Sequence, residues 1–362
     1  MIRLAKPIIS DEEKNAVISV LDSGMLASGA KVTEFEKRFA EYLGVKHAIA
    51  TSSGTTALHT ALACAGIGPG DKVITTPFTF IASVNSILYC GAEPVFVDID
   101  PRTFNIDPEK LEDTLKENGV KAVLVVHLFG LSCDMPRIIQ IAEKHNVKII
   151  EDCAQSHGAA INGKKAGTFG CASAFSFYPT KNMTTGEGGI VVTDDEEVAE
   201  RCRKMINHGR SGRYSHDMLG YNYRMTNIAA AIGLLQLRKL DEFNERRIAN
   251  AQYLSEHLSD LDWLNIPFVP EGFLHVFHQY TVRIEPSKRD MVVEHLKTKE
   301  IDSAIIYPLV VYRQPIYESL GFGNGKCLVA EQICNEVLSL PVHPSLENYE
   351  LDMITAAMKD IS

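Results

Sequence analysis

The chain has 362 residues, of which 45% are hydrophobic and 23% charged, and its formal net charge is −10. This length allows about two domains and a sizeable core in the larger one. An acidic chain without runs of Lys and Arg is poorly suited to bind nucleic acid or an anionic membrane surface, because both attract positive charge.

The eight cysteines show no C-x-x-C spacing, and several lie within apolar segments. Buried thiols in a reducing compartment explain this pattern better than disulfides or a zinc site. The first twenty residues are charged and amphipathic, which does not fit a signal peptide. No apolar run reaches the roughly 18 residues of a membrane-spanning helix. We therefore expect a cytoplasmic protein with no metal site and no membrane contact.

In chain order, the sequence first predicts two helices and then an alternation of strands and helices. Ser10 and the acidic residues after it form a capping-box pattern, and Gly24 and Gly44 are placed to end the two helices. Seven short apolar runs follow, with helical segments between many of them, which favours a mostly parallel sheet covered by helices. The predicted strands are residues 47–51, 72–76, 94–98, 122–127, 147–151, 172–177 and 190–193. The predicted helices are residues 55–65, 81–88, 108–117 and 136–145.

A long amphipathic segment, residues 227–258, marks the end of this alternation. Beyond it the pattern predicts a strand at 279–284 and helices at 291–299 and 326–338. We therefore predict two domains. They are a large α/β domain of residues 12–240 and a smaller α+β domain of residues 241–362, which residues 1–11 join.

Polar residues follow several predicted strands, at the carboxyl ends where sheets of this kind bind ligands. Ser53, Gly54 and Thr55 come after the first strand and before a helix, a pattern that either binds an anion or simply caps the helix. Asp152 follows the fifth strand. A buried carboxylate in that position is costly unless it meets hydrogen bonds or a cation, such as a protonated ring nitrogen, or only caps the next helix.

Lys181 follows the sixth strand, in a loop rich in Gly and Thr. A lone lysine is usually a solvated charge. Here the acid and the anion-binding pattern at other strand ends favour a Schiff-base lysine, whose amine must be deprotonated near neutral pH. Neither G-x-G-x-x-G nor a P-loop pattern occurs, so the sequence gives no sign of a dinucleotide or P-loop site.

Together these segments resemble the DegT/DnrJ/StrS family of nucleotide-sugar aminotransferases, which are fold-type I enzymes dependent on pyridoxal 5'-phosphate (PLP). The resemblance extends through nearly the whole chain, in SSGTTAL, TTPFTFIAS, PVFVDIDPRTFNID, VVHLFG, IIEDCAQSHGA, SFYPTKNMTTGEGG, GYNYRMTNIAAAIGLLQL and LSLPVHP. It implies a fold-type I transferase, with a mostly parallel seven-stranded sheet between helices, a smaller C-terminal α+β domain, and PLP as the cofactor.

The resemblance also implies roles for individual residues. Lys181 would form the internal aldimine with PLP and then move the proton between the substrate carbon and the cofactor. Asp152 would pair with the pyridine nitrogen, and Gln155 would hydrogen-bond the phenolic oxygen. Phe80 would stack on the pyridine ring, although core packing explains an aromatic residue there equally well.

The cofactor's phosphate would be bound by residues of two strand ends and of a second subunit. Gly54, Thr55 and Ser176 would contact it within one chain. Asn222 would reach it from the partner subunit, so that the active site would exist only in a homodimer.

Three further residues lie in segments that contact the cofactor or the sugar in similar proteins. His127 and His157 are near strand ends, where they could be either ligand contacts or structural residues. Tyr312 stands where the family usually has a histidine, in a segment that faces the sugar nucleotide in relatives. This departure weakens the use of the resemblance to identify the substrate.

The implied reaction uses L-glutamate to convert PLP to pyridoxamine phosphate, which then aminates a keto group of a nucleotide-linked deoxysugar, as in amino sugar and polysaccharide biosynthesis. The sequence TTGEGG favours the 4-keto position by analogy. A PLP-dependent sugar dehydratase would have histidine in place of Lys181, which argues against that class. A cyclitol aminotransferase acting on a keto-inositol, and a non-enzymatic regulatory protein of the same fold, remain as alternatives.

Overall fold

The computed structural model describes residues 1–116 and 119–361. The last residue of the predicted helix 108–117 and the last residue of the predicted small domain therefore lie outside the described residues. The helices are α1 (Asp11–Ser23), α2 (Ala30–Leu43), α3 (Gly54–Cys64), α4 (Ile81–Tyr89), α5 (Pro108–Leu115), α6 (Met135–His145), α7 (Glu196–Met205), α8 (Asn227–Leu258), α9 (Pro286–Thr298), α10 (Pro315–Ser319), α11 (Leu328–Ile333) and α12 (Asn348–Lys359). The strands are β1 (His47–Thr51), β2 (Lys72–Thr75), β3 (Glu93–Phe96), β4 (Val120–Val126), β5 (Lys148–Asp152), β6 (Ala160–Ile161), β7 (Lys164–Lys165), β8 (Ala172–Ser176), β9 (Gly189–Thr193), β10 (Leu264–Asn265), β11 (Phe273–Leu274), β12 (Tyr280–Ile284) and β13 (Val337–Leu340).

Seven strands form the central sheet, in the order β1-β9-β8-β5-β4-β2-β3. Strand β9 is antiparallel to both of its neighbours, and the other pairs are parallel. These are the seven strands predicted from the apolar runs, so the prediction of a mostly parallel sheet between helices is confirmed.

Both faces of this sheet are covered, which explains why its strands are apolar runs rather than alternations. Along β5, Ile150 packs in the cluster that includes α3 and α7, whereas Ile149 packs in the cluster that includes α5 and α6.

The capping residues at the start of the chain lie where the sequence predicts the helix ends. Ser10 and Glu13 form the capping box of α1, and Gly24 and Gly44 take left-handed conformations after α1 and α2.

The C-terminal part of the chain has its own core. Helix α8 is continuous over 32 residues and crosses the predicted boundary at 240/241. Its second half packs with the sheet β10-β12-β13 and with α9 and α12. Ile2 pairs with Ile301, which attaches the N-terminus to this part. The exact domain boundary stays a prediction.

The prediction of one helix over residues 326–338 was wrong. Helix α11 ends at Ile333, and residues 337–340 form β13, in which Leu338 pairs with Val282 of β12. A short apolar run cannot be assigned to helix or strand by periodicity alone, and here pairing with β12 decides it. Helices α7 and α12 and the small sheet β11-β6-β7 were also not predicted from the sequence. Among the described residues, no helix is both long and apolar enough to span a bilayer.

Candidate active site

A cavity of about 600 Å³ lies at the carboxyl ends of the parallel strands. Its walls come from the segments that follow β1, β2, β5 and β8, together with residues 4–5, 278–279 and 306–307. Seven of the eight predicted site residues line it, namely Gly54, Thr55, Phe80, Asp152, Gln155, Ser176 and Lys181. The structure thus brings together residues that are up to 127 positions apart in the sequence, counting from Gly54 to Lys181 (181 − 54).

One end of the cavity is the N-terminus of α3. Ser53 caps the helix, with its hydroxyl accepting the N–H of Thr56 at 3.1 Å. Among the hydrogen bonds of the described residues, none uses the backbone N–H of Gly54 or Thr55. A Cβ at Gly54 would lie 2.5 Å from Cβ of Ser176, so only glycine allows the end of β8 to approach the helix this closely. Free N–H groups at a helix N-terminus favour a phosphate.

A buried carboxylate, Asp152, lies at the end of β5 and is 3% exposed. Its oxygens accept hydrogen bonds from the Ser83 hydroxyl at 2.7 Å and from the Ala154 N–H at 3.0 Å. Burial raises the pKa of Asp152, while these bonds and the charge of Lys181 oppose the increase. A cation in the cavity would therefore stabilise the carboxylate. Ser83 was not predicted as a site residue, although it is the last residue of the segment TTPFTFIAS.

Lys181 follows β8 in a loop that is well anchored. Its backbone N–H donates to the carbonyl of Tyr178, and the amide of Asn182 donates to Asn244 and to the carbonyl of Val276. Burial lowers the pKa of Lys181 to about 8, and the negative charge of Asp152 opposes this decrease. A substantial fraction of the amine is therefore neutral, and hence nucleophilic, near neutral pH.

The side chain of Gln155 is held from two directions. Its carbonyl oxygen accepts the N–H of Phe129 at 2.8 Å, and its amide nitrogen donates to the hydroxyl of Tyr307 at 3.1 Å. The ring of Tyr307 lies 6.4 Å from that of Phe80, measured between centroids. Phe80 is 56% exposed, which excludes the core-packing alternative. Tyr307 was not predicted as a site residue, and an aromatic residue before Pro308 is a weak signal on its own.

Asn222, the eighth predicted site residue, and Tyr312, where the chain departs from the family, both lie outside this cavity. Asn222 is exposed and forms a β-bridge with Asn207, so within its own chain it is not one of the lining residues. Tyr312 is fully buried, where its hydroxyl bonds to Glu331 and accepts the N–H of Cys327. The side chain of Tyr312 therefore points into the core and is not among the described residues that line the cavity.

The two histidines at strand ends are buried as well. His127 Nδ1 accepts the N–H of Cys133, and its Nε2 lies 2.9 Å from the carboxylate of Glu151. His157 packs against two phenylalanine rings, and burial lowers its pKa to about 3. Neither is among the described residues that line the cavity. By contrast His278, which was not predicted as a site residue, does line it.

His127, Glu151 and Cys153 have potential ligand atoms within 4.8 Å of one another. The Glu151 carboxylate, however, also accepts the backbone N–H groups of Gly167, Phe169 and Gly170. A metal ion would have to displace these bonds, so we interpret the cluster as a hydrogen-bonded structural unit.

The residues of the cavity fit PLP. Two free N–H groups at a helix N-terminus suit its phosphate, a buried carboxylate with room for a cation suits its pyridine nitrogen, and a lysine with a lowered pKa suits its aldehyde. The glycine at position 54 lets Ser176 approach the helix N-terminus, so that the Ser176 hydroxyl lies near the free N–H groups.

Known proteins that are similar to this chain include sugar aminotransferases. Residues 7–359 match the family described as the DegT/DnrJ/EryC1/StrS aminotransferases. The chain is 43% identical to a "pleiotropic regulatory protein" of Geobacillus stearothermophilus, over 93% of this chain and 92% of the relative. It is 42% identical to a GDP-perosamine synthase of Caulobacter vibrioides, over 99% and 98% of the two chains.

Two further relatives extend the comparison to another sugar and to a bound cofactor. A UDP-N-acetyl-3-dehydro-alpha-D-glucosamine 3-aminotransferase of Acidithiobacillus ferrooxidans is 40% identical, over 97% of this chain and 94% of the relative. The crystal structure of NtdA from Bacillus subtilis, with bound cofactor PMP, is similar to this structure with a TM-score of 0.91 and 31% identity. That similarity covers 98% of this chain and 82% of NtdA.

Proposed function

The chain belongs to the DegT/DnrJ/EryC1/StrS aminotransferase family, and on that premise we propose that it transfers the amino group of L-glutamate to the 4-keto group of a nucleotide-linked deoxysugar. The broader class follows from the family and its relatives: the protein is a PLP-dependent sugar aminotransferase of fold-type I. The observation that carries the proposal is the convergence of Lys181, Asp152 and the free N–H groups of α3 in one cavity.

Each of these groups has a task that its surroundings support. When bound, PLP supplies an electron sink for the carbon that loses or gains a proton. We propose that Asp152 holds the positive charge of the pyridine nitrogen, and that Gly54, Thr55 and Ser176 hold the phosphate. Because the pKa of Lys181 is about 8, its amine can accept a proton in one half-reaction and return it in the other.

The sugar has room beside these groups. Leu4, Ala5 and Ile306 form an apolar wall, and Glu187 of TTGEGG lies at the same cavity with an exposed carboxylate. A carboxylate in this place can accept hydrogen bonds from sugar hydroxyls and so orient the ring. The relative named a GDP-perosamine synthase supports a nucleotide-linked substrate. The relative named a 3-aminotransferase makes carbon 3 the competing position.

We also propose a homodimer in which Asn222 completes the phosphate site of the partner. Among the described residues that line the cavity, Lys181 is the one Lys or Arg side chain. The proposed substrates and the cofactor carry several phosphates and carboxylates. The cavity therefore needs additional polar groups to bind them. Asn222 is exposed and outside its own cavity, which leaves it available to a second copy.

The first test is chemical labelling of the purified protein with PLP. We expect a visible absorption band that fades with L-glutamate, and after borohydride reduction we expect the cofactor on the peptide that contains Lys181. Lys181→Ala should retain neither the label nor activity. A label on a different lysine would contradict the role of Lys181.

The second test is a substrate panel with matched keto-sugar nucleotides. We expect amination of a 4-keto-6-deoxy sugar nucleotide with L-glutamate as donor, detected by mass spectrometry and by NMR of the product. Faster turnover of the 3-keto isomer would contradict the proposed position. Turnover of a keto-inositol with glutamine, without turnover of any sugar nucleotide, would establish the cyclitol alternative instead.

The relative named a pleiotropic regulatory protein makes one further assay worthwhile. A regulatory role through nucleic acid predicts binding that weakens steeply with salt, because phosphate contacts release counterions. The net charge of −10 leads us to expect no such binding.

A further inference from the structure

Gln155 has its amide orientation fixed by the protein. Only the side-chain oxygen can accept the N–H of Phe129, so the NH2 group must face the cavity. One hydrogen of that NH2 group is used by the hydroxyl of Tyr307, at 3.1 Å. The second hydrogen is left for a group in the cavity, where Asp152 and Lys181 also lie.

Tyr307 belongs to a different part of the chain from the sheet that carries Gln155. It follows Ala304, which bridges to Ser339 of β13, and its ring packs edge-on against Phe78 at 6.0 Å between centroids. Burial raises the pKa of Tyr307, so the hydroxyl stays protonated and neutral at ordinary pH. It therefore offers Gln155 a fixed acceptor from the C-terminal side of the cavity.

These contacts lead to a role for Tyr307 that depends on the proposed cofactor site. We propose that Tyr307 is a positioning residue that, by accepting one N–H of Gln155, directs the other N–H at the phenolic oxygen of the bound cofactor. This inference rests on the proposed contact between Gln155 and that oxygen. It makes the placement of the C-terminal segment a determinant of the cofactor's protonation.

The direction of the effect follows from hydrogen bonding. The phenolic oxygen accepts a hydrogen bond more strongly when the nitrogen that links the cofactor to Lys181 carries no proton, because a protonated nitrogen already bonds to that oxygen. A well-directed N–H from Gln155 therefore lowers the pKa read from the visible absorption band. If the N–H of Gln155 is not directed at the phenolic oxygen, the pKa of the band stays higher.

The test is a double-mutant cycle on the holoenzyme, with the visible band titrated against pH. We expect Tyr307→Phe to raise the band's pKa by about half a unit, the scale of one weakened neutral hydrogen bond. Gln155→Ala should raise it further. Because Tyr307 acts through Gln155, the double variant should titrate like Gln155→Ala alone.

Tyr312→Phe is the matched control. It also removes a buried tyrosine hydroxyl with two partners, Glu331 and the N–H of Cys327, but outside the cavity. We expect the thermal midpoint of this variant to fall while its band titrates like that of the wild type. A band that shifts equally in Tyr312→Phe would overturn the proposal, since a general loss of packing would then explain both variants.

The remaining outcomes separate this inference from the function on which it rests. If Gln155→Ala shifts the band and Tyr307→Phe does not, or if the two shifts add, Tyr307 has no positioning role while the cofactor site stands. If Gln155→Ala leaves the band unchanged, the contact of Gln155 with the phenolic oxygen is wrong and the proposal falls with it. If no band forms and no cofactor is recovered on Lys181, the proposed function itself fails.

Discussion

Two neighbouring acids at the end of β5 lie on opposite faces of the sheet and differ in their hydrogen-bond partners. Glu151 and Asp152 are both buried, at 0% and 3% exposure, and as neighbours on a strand their side chains point to opposite faces. On one face Glu151 accepts hydrogen bonds from three backbone N–H groups, from Ser173 and from His127. On the other face Asp152 accepts hydrogen bonds from the Ser83 hydroxyl and the N–H of Ala154, and it lines the cavity.

The pKa values follow from these surroundings. Burial alone raises the pKa of Glu151, but the hydrogen bond with His127 and the backbone N–H groups outweigh burial and lower it. For Asp152 burial prevails, and the pKa is raised. His127 accepts a backbone N–H at Nδ1, so its proton is on Nε2 and faces Glu151.

A buried acid whose oxygens are fully hydrogen-bonded to the protein stabilises the fold, whereas one with spare acceptor capacity beside a cavity is ready for a ligand. The residue type does not distinguish these cases, and neither does burial. What distinguishes them is the number of hydrogen-bond donors around the carboxylate, and whether the protein alone supplies all of them. The first prediction tests this distinction on the stability side.

We expect Glu151→Gln to lower the free energy of unfolding by about 3–5 kcal/mol, as breaking a buried, hydrogen-bonded ionic group does. The amide replaces an acceptor by an NH2 group that would face backbone donors, and it leaves His127 without its carboxylate. Urea unfolding of the apoprotein measures the change. Asp152→Asn is the matched control, because it makes the same chemical change one residue away. An equal loss of stability in both variants would show that the two faces do not differ.

The second prediction tests the same distinction on the side of activity. We expect Asp152→Asn to lower kcat/KM by about a hundredfold or more, the scale of losing one fixed electrostatic partner in an active site. The unfolding free energy of its apoprotein should stay level or rise, because a buried carboxylate with a raised pKa is replaced by a neutral group. Activity close to that of the wild type would contradict the pairing of Asp152 with the cofactor.

The sequence predicts the cavity face better than the opposite face. Lys181, Asp152 and Gly54 follow separate apolar strands, and the rule that ligands bind at the carboxyl ends of parallel strands was enough to bring them together. Ser83 and Tyr307 could not be found in this way. Their roles depend on how a helix start and a distant loop pack against the strand ends, which no local pattern encodes.

On the face of the sheet opposite the cavity, the sequence could not distinguish structural polar residues from site residues. His127 and Glu151 are polar residues at strand ends, as Asp152 is, and sequence alone could not tell that their partners are all within the protein. Three of these partners are backbone N–H groups of residues 167–170, whose position depends on the turn that precedes β8. The prediction for residues 326–338 failed for a related reason, since the pairing of β13 with β12 is a long-range contact.

The third prediction concerns the protonation of Lys181. Burial in the cavity lowers the pKa of its amine to about 8. The rate at which the apoprotein takes up PLP depends on the neutral amine. We therefore expect this rate to rise about tenfold between pH 7 and pH 9 and to level off above that range. Stopped-flow absorption of the visible band measures it. A rate that keeps rising to pH 10 without levelling would indicate a lysine with its ordinary pKa.

The fourth prediction uses pH to compare the two acids in the same experiment. The folded-state pKa of Glu151 lies below its ordinary value of 4.5, so its contribution to stability is present above that value and is lost as the pH falls through the folded-state pKa. The pKa of Asp152 lies above its ordinary value of 3.8, so its carboxylate destabilises the fold above the folded-state pKa, and protonation relieves this.

The two variants should therefore change with pH in opposite directions relative to the wild type. As the pH falls from 7 towards 4, the wild-type apoprotein should gain stability relative to Asp152→Asn, by at most about 1.4 kcal/mol per pH unit. Below about pH 4.5 it should begin to lose its advantage over Glu151→Gln. Urea midpoints of the three proteins across this range provide the measurement. Parallel curves would mean that the protonation of neither acid is coupled to folding, and the two faces would then differ only in their hydrogen bonds.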